Sequence, residues 1–208
     1  MNKLSLVIVP WLMAAMMSTS VAADAPPDVM IRLVTDEVLG IVRDDGAIRA
    51  GDAARAAELI EQKVLPNFNF RRMTALAVGR DWRGATAEQQ ARLVEQFRSL
   101  LVRTYSNALT QYKDQLIEFR PLRARAEDAD VTVRADIRQS GAPPIALDFR
   151  LEKVAEGWKV YDVAVAGVSL VTTYRGSFTQ EIRQGGLDGL IRSLEDKNRP
   201  FAADRSRS

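Results

Sequence analysis

The chain predicts an α+β fold, a four-stranded antiparallel sheet packed against several helices. Three features point to it. Apolar residues recur at helical spacing through the first half of the chain. Four segments between Leu116 and Val165 alternate with a period of two and follow one another closely. Helical spacing then returns after Gly167.

Taken in order, Met30, Leu33, Val34, Val38 and Ile41 form an apolar stripe that opens just after Pro26-Pro27, which predicts a helix to about Asp44. Gly51-Asp52 precedes a second helix from Ala53 to Leu65, halted by Pro66, and a short third one runs from Phe70 to Gly79. Thr86 and Gln89 make a capping-box pair. It opens the most regular helix, whose stripe is Leu93, Val94, Phe97, Leu100, Leu101, Thr104, Tyr105, Ala108 and Leu109.

The strands are expected at Leu116–Pro121, Val131–Arg138, Ile145–Lys153 and Trp158–Val165. In the second, Val131, Val133, Ala135 and Ile137 alternate with polar residues; in the third, Ile145, Leu147, Phe149 and Leu151 form one face. Such alternation is that of a half-buried sheet, dry on one side and wet on the other. The connections at Gly141-Ala142-Pro143-Pro144 and Glu156-Gly157 are short, so a meander is the economical topology. The last strand differs because both of its faces are largely apolar. Strict alternation places Tyr161, Val163 and Val165 on one side and Trp158, Val160 and Ala164 on the other, with Asp162 on the second side. Gly167 then breaks the strand, and Val171, Tyr174 and Phe178 open a helical segment continuing to Gln184. Gly185-Gly186 marks a break, Leu187–Asp196 is helical again, and 201–208 reads as a flexible tail.

Among the chain's 208 residues there is no histidine and no cysteine. That removes thiol nucleophiles, imidazole bases, zinc sites built on either residue, disulfides and an acylated lipoprotein cysteine. Residues 1–23 have the layout of a cleavable signal peptide: Lys3, an apolar run from Leu4 to Met17, and Val21-Ala22-Ala23 before the cut. The run is short and carries Pro10, against the ~20 apolar residues of a membrane span. Residues 24–200 then form a single domain. Basic and acidic residues nearly balance, at 29 and 27, which argues against a nucleic-acid surface and against tight adhesion to anionic lipid.

Few motifs suggest chemistry. Glu127-Asp128 and Asp130 lack the further oxygen ligands of a calcium loop and read as a solvated hairpin. Gly185, Gly186 and Gly189 follow a helix rather than a strand, so they are not a dinucleotide loop. Arg71-Arg72 at a helix start faces water, a lipid phosphate or a partner's acid. Arg175 either caps a cavity mouth or pairs with a carboxylate such as Asp162. Asp162 is the one plausible pocket carboxylate for an enzyme, but it shares its strand face with Trp158 and Val160, opposite Tyr161 and Val163, which points away from chemistry. Apolar residues exceed what one small interior needs, with Phe97, Leu101, Tyr105, Val133, Leu147, Phe149, Tyr161, Val163, Val165, Val171 and Tyr174 all directed inward. Periodicity does not separate a solid core from a cavity.

The segment WKVYDVAVAGVSLVTTYRGSF (158–178) resembles the MlaC family, the toluene-tolerance Ttg2 group. So do VLPNFNFRRMTALAVGRDWRGAT (64–86), QFRSLLVRTYSNAL (96–109) and DGLIRSLEDKN (188–198), in order and at family-like spacing. The resemblance implies an NTF2-like or cystatin-like cone with an apolar cavity, holding phospholipid acyl chains between sheet and helices. It fixes no headgroup contact, and Arg175 stands only as the candidate for a headgroup at the cavity mouth. It implies a periplasmic carrier without enzymatic activity and without cofactor or metal. Its partners would be an outer-membrane lipoprotein–porin complex and an inner-membrane ABC transporter with an MCE-type component, and its role the maintenance of outer-membrane asymmetry. The alternatives from other classes are an NTF2-like enzyme acting on an apolar small molecule and a non-catalytic envelope assembly factor.

Overall fold

A computed structural model describes residues 25–113 and 115–205. The expected signal peptide, 1–23, lies outside the described residues. Helix α1 spans Pro27–Asp44, α2 Gly46–Arg49 and α3 Ala53–Leu59. The chain then widens into a π-helical turn, Ile60–Val64, and tightens into a 3₁₀ turn, Leu65–Asn67. Helix α4 covers Phe70–Val78, α5 Ala87–Thr110 and α6 Leu170–Arg205. Between α5 and α6 lie β1 (Leu116–Phe119), β2 (Asp130–Arg138), β3 (Ile145–Val154), β4 (Gly157–Val165) and β5 (Val168–Ser169).

The meander holds, but the sheet has five strands rather than four, in the order β1-β2-β3-β4-β5 with every pair antiparallel. The fifth was hidden by Gly167. Ala166 and Gly167 have φ of 51° and 81°, the positive values that a two-residue type I′ hairpin requires. The chain therefore turns back and pairs Val168 with Val165 before α6 begins. At the other end of β4, Phe68 bridges Val160 and the Asn69 amide donates to the Val160 carbonyl at 2.8 Å. The edge of β4 is thus covered at both ends, which blunts it against pairing with other chains.

The helix at Ala53 stops short of the expected Leu65. Pro66 has no amide to continue the ladder, and the Leu65 amide bonds back to the Ile60 carbonyl across five residues. The α1 stripe is also rotated from expectation: Ile31, Val38 and Val42 are buried, while Leu33 is 61% exposed. The capping box at Thr86 forms as the sequence indicates, with Thr86 Oγ1 accepting from the Gln89 amide and the Gln89 side chain accepting from the Thr86 amide. Gly186 interrupts α6 with φ 66° and ψ −171°, a conformation that glycine adopts without steric cost. Helix α6 continues to Arg205, into the segment expected as a tail.

Two apolar layers follow from this arrangement. Leu93, Phe97 and Leu100 of α5 pack with Met73 and Ala77 of α4 and with Phe178, Leu190, Ile191 and Leu194 of α6. Phe97 lies edge-on to Tyr174 and Phe178, with centroids 5.0 and 5.2 Å away, the preferred geometry for aromatic pairs. On the sheet, Val131, Val133, Leu151 and Val160 are buried under Ile31 and Met30 of α1.

The β4 strand does not keep strict alternation. A bulge shifts its register, pairing Arg150 with Asp162 but Leu151 with Val160, so Tyr161 is the extra residue. Val160 and Val163 consequently share a face, contrary to the expected pattern. Asp162, 2% exposed, turns toward the start of α6, where it accepts from Ser169 Oγ at 2.7 Å and from the Val171 amide at 3.1 Å. Arg150 lies 3.6 Å from the same carboxylate. Asp162 is therefore a helix-start anchor and not a free pocket base.

Replacing Asp162 by Ala should cost about 2–3 kcal/mol, because a helix-start amide and the Ser169 hydroxyl lose their buried acceptor. Urea unfolding should show a lower midpoint with an unchanged m-value. A loss below about 0.5 kcal/mol would mean that packing alone starts α6.

Candidate functional site

The sheet's apolar face is covered by α1 at one end only. Toward the β4–β5 hairpin, Leu147 and Phe149 of β3 and Val163 of β4 remain half-buried although they sit in the body of the sheet. Facing them across a gap are Leu101, Val102, Tyr105 and Leu109 of α5, together with Ile60, Val64 and Leu65 of the π and 3₁₀ turns. Phe68, Phe70 and Met73 close one end, and Val165 and Leu170 border the other. The cavity has a volume of about 360 Å³, and apart from the Tyr105 phenol every lining side chain is apolar. No ionisable acid or base of the Asp, Glu, Lys or Arg type lines it.

Local chain geometry creates this gap. A straight continuation of α3 would carry Ile60 and Val64 along one helical face. In the π turn they lie beside Val102 and Leu109, in one cluster with Ala57 of α3. The Val163–Phe149 and Val165–Leu147 pairs then supply the opposite wall through direct cross-strand register.

Of the residues the sequence directs inward, the structure brings six to the cavity: Leu101, Tyr105, Leu147, Phe149, Val163 and Val165. Five others lie elsewhere. Phe97 and Val171 belong to the interhelical core, and Val133 is sealed beneath α1. Tyr174 lies edge-on to Phe97, and its phenol also approaches that of Tyr105. Burial first, and then the Tyr174 phenol, raises the pKa of Tyr105. Tyr161 leaves the cavity row because of the bulge. Arg175 is exposed, and its guanidinium would lie 3.6 Å from a Cβ at Gly79 rather than among the cavity residues. The alternative reading of Arg175, a pair with Asp162, is not realised: the cation beside that carboxylate is Arg150.

Sequence reasoning missed the wall made by Ile60, Val64 and Leu65. The signal was the apolar triplet just before Pro66, read there as an ordinary helix end. It also missed Val102 and Leu170, each next to a residue already placed in a stripe.

Tyr161 has a structural post. The Arg72 guanidinium lies 3.6 Å from its ring centroid, and its hydroxyl donates to Asp130 Oδ1 at 2.8 Å. Arg72 also bridges Asp130 and Glu152 at 2.8 and 2.7 Å. Arg71 donates to Gln90 and stacks on Trp82. The two arginines of α4 thus tie it to the sheet and to α5.

The family described as "MlaC protein" matches residues 32–196. The intermembrane phospholipid transport system binding protein MlaC of Haemophilus influenzae is 24% identical over 187 residues, covering 88% of this chain and 87% of that protein. Toluene tolerance protein ttg2D of Pseudomonas putida is 26% identical over 179 residues, covering 85% and 82%. A phospholipid-binding protein from Ralstonia solanacearum, solved in complex with a phospholipid, is 38% identical with a TM-score of 0.79. That match covers 86% of this chain and 99% of that one.

Burial, and then the bond to Asp130, pushes the Tyr161 pKa from 10.0 to about 12. The folded state therefore holds this proton more tightly than the unfolded chain. The resulting stability is fully present below pH 10 and is lost as pH rises toward 12, by as much as about 2 kcal/mol. Denaturant titrations across that range should show the loss, and Tyr161→Phe should flatten it.

Proposed function

The chain belongs to the MlaC family, and from that premise we propose that it is a phospholipid carrier whose apolar cavity encloses acyl chains between β3–β4 and the π turn. The observation that carries this reading is the charge-free cavity, lined by half-buried Leu147, Phe149 and Val163 in the body of the sheet. Close-packed interiors do not ordinarily leave mid-sheet residues uncovered, since each loses contacts and burial.

A lipid with two acyl chains has about 30 methylenes, and exposing each to water costs ~0.8 kcal/mol, so unassisted transit opposes ~20 kcal/mol or more. Enclosing the chains removes most of that barrier without acid, base or metal. On this reading the protein is not an enzyme, and its lipid is held by diffuse apolar contact.

The proposal extends to place and partners. Residues 1–23 are removed on export, leaving a periplasmic domain over residues 24–200. The carrier exchanges glycerophospholipid between an outer-membrane lipoprotein–porin complex and an inner-membrane ABC transporter with an MCE-type component, and so maintains outer-membrane lipid asymmetry. The signal-peptide layout of the sequence and the family membership support these steps.

Val163→Arg tests the cavity. In a filled core a buried unpaired charge would cost several kcal/mol, a large share of the ~5–15 that hold a domain together. In a lipid cavity the Arg stem lies along the channel and its head reaches water. The variant should stay folded and soluble, with lipid recovered by organic extraction falling at least about tenfold, some 1.4 kcal/mol. A variant that unfolds, or that stays folded with its lipid complement intact, contradicts the assignment. The intact mass of the same exported protein should place its N-terminus within about two residues of Asp24.

A further inference from the structure

A second cleft lies where α1 and α2 meet the end of α5. Its volume is about 470 Å³, and Arg43, Arg49 and Lys113 line it with Val42, Thr110 and Tyr112. Three cations converge on one concavity in a chain whose charges otherwise nearly balance. Among the described residues none of the three forms an ion pair with a carboxylate, whereas Arg55, Arg72, Arg92, Arg120 and Arg138 all do.

The nearby acid is committed elsewhere. Asp45 accepts the Ala47 and Ile48 amides and pairs with Arg55 Nε at 2.9 Å. Asp44, next to Arg43 in the chain, is not among the cleft's lining residues. Arg43 is positioned by a neutral partner: its Nη2 donates to the Tyr112 phenol at 2.9 Å, and that phenol donates to the Gln115 carbonyl at 3.0 Å. The Thr110 hydroxyl donates to the Asn107 carbonyl. Val42, 1% exposed, is the aliphatic residue of the lining. The cleft therefore offers two forked guanidinium groups and an ammonium beside Val42, and among the described residues no carboxylate lines it. Guanidinium forks match the oxygens of a phosphate, and a lysine adds a point charge.

We propose that this cleft binds a phosphate ester. Two sources share that chemistry. One is the headgroup phosphate of the carried lipid: Leu109 lines the apolar cavity and Thr110, the next residue of α5, lines the cleft. The other is a free phosphate monoester. The first source rests on the carrier reading; the cleft itself does not.

The test is NMR titration of the full exported protein with glycerol 3-phosphate in phosphate-free, low-salt buffer. Saturable shifts at Arg43, Arg49 and Tyr112, weakening as salt screens the charges, are the expected result. Arg43→Gln/Arg49→Gln should weaken binding at least about tenfold, and so should Arg49→Gln alone by a smaller factor. Among the described residues Arg49 makes no side-chain hydrogen bond or ion pair, so the single variant remains readable if the double one misfolds.

A second arm compares retention of phosphatidylglycerol with that of diacylglycerol. If the lipid headgroup is the source, wild type prefers the phospholipid, the variants lose the preference, and loaded lipid blocks glycerol 3-phosphate. If a free monoester is the source, lipid-loaded protein still binds glycerol 3-phosphate and the preference does not change. Absence of saturable shifts at these residues up to about 50 mM, above any useful affinity, overturns the proposal. So does unchanged binding by the variants, or binding to anionic vesicles alone. A protein that retains neither lipid overturns the carrier reading, while the titration still reads the cleft.

Discussion

Opposite Arg150 and Leu151, β4 carries one residue too many for a regular ladder, and much of the molecule is arranged around that bulge. Side chains of a strand change face with every residue, so one extra residue reverses the assignment of all that follow. Upstream, Trp158 and Val160 meet the apolar layer beneath α1; downstream, Val163 and Val165 stay on that same face and border the cavity. Tyr161 and Asp162 are sent the other way. One binds Arg72 and Asp130, which fixes α4, and the other receives the start of α6. A single irregularity thus lets β4 hold a helix on one side and leave an apolar wall on the other.

The cavity itself follows from incomplete coverage. Helix α1 seals Val131, Val133, Leu151 and Val160, whereas the π turn and α5 stand off from Leu147, Phe149 and Val163. Apolar surface left uncovered forfeits roughly 25 cal/mol per Å², so a chain that keeps such a gap gives up stability that a filled core would have. An apolar guest recovers that free energy on entering. On the carrier reading the structural role and the binding role share one driving force, and polar bonds lie at the edges, where Arg72, Asp162 and the Thr86 cap fix the helices that frame the gap.

Much of this was legible in the sequence. The α5 stripe, its capping box, the alternation of β2 and β3 and the break at Gly186 are local signals, and each depends on nearest neighbours along the chain. The bulge at Tyr161 is not local: alternation in β4 reads cleanly by itself, and only pairing with β3 reveals the extra residue. The π turn at Ile60 is hidden for a similar reason, since its apolar spacing fits an ordinary helix. Hence Leu147, Phe149, Val163 and Val165 could be placed from period two, Tyr161 could not, and Ile60, Val64 and Leu65 went unseen. Phe97, Val171 and Tyr174 have the same pattern as cavity residues because a stripe does not say which partner covers it.

The central claim is that acyl chains occupy the gap between β3–β4 and the π turn. It is tested most directly by loading the protein with a phospholipid that carries a nitroxide near the end of one acyl chain and recording methyl NMR spectra. The account predicts strong broadening of Leu101, Leu147, Val163 and Val64, with Leu93, Leu190 and Leu194 of the interhelical core largely spared. Broadening confined to exposed methyls such as Leu33 and Val168, or spread equally through the core, would contradict it.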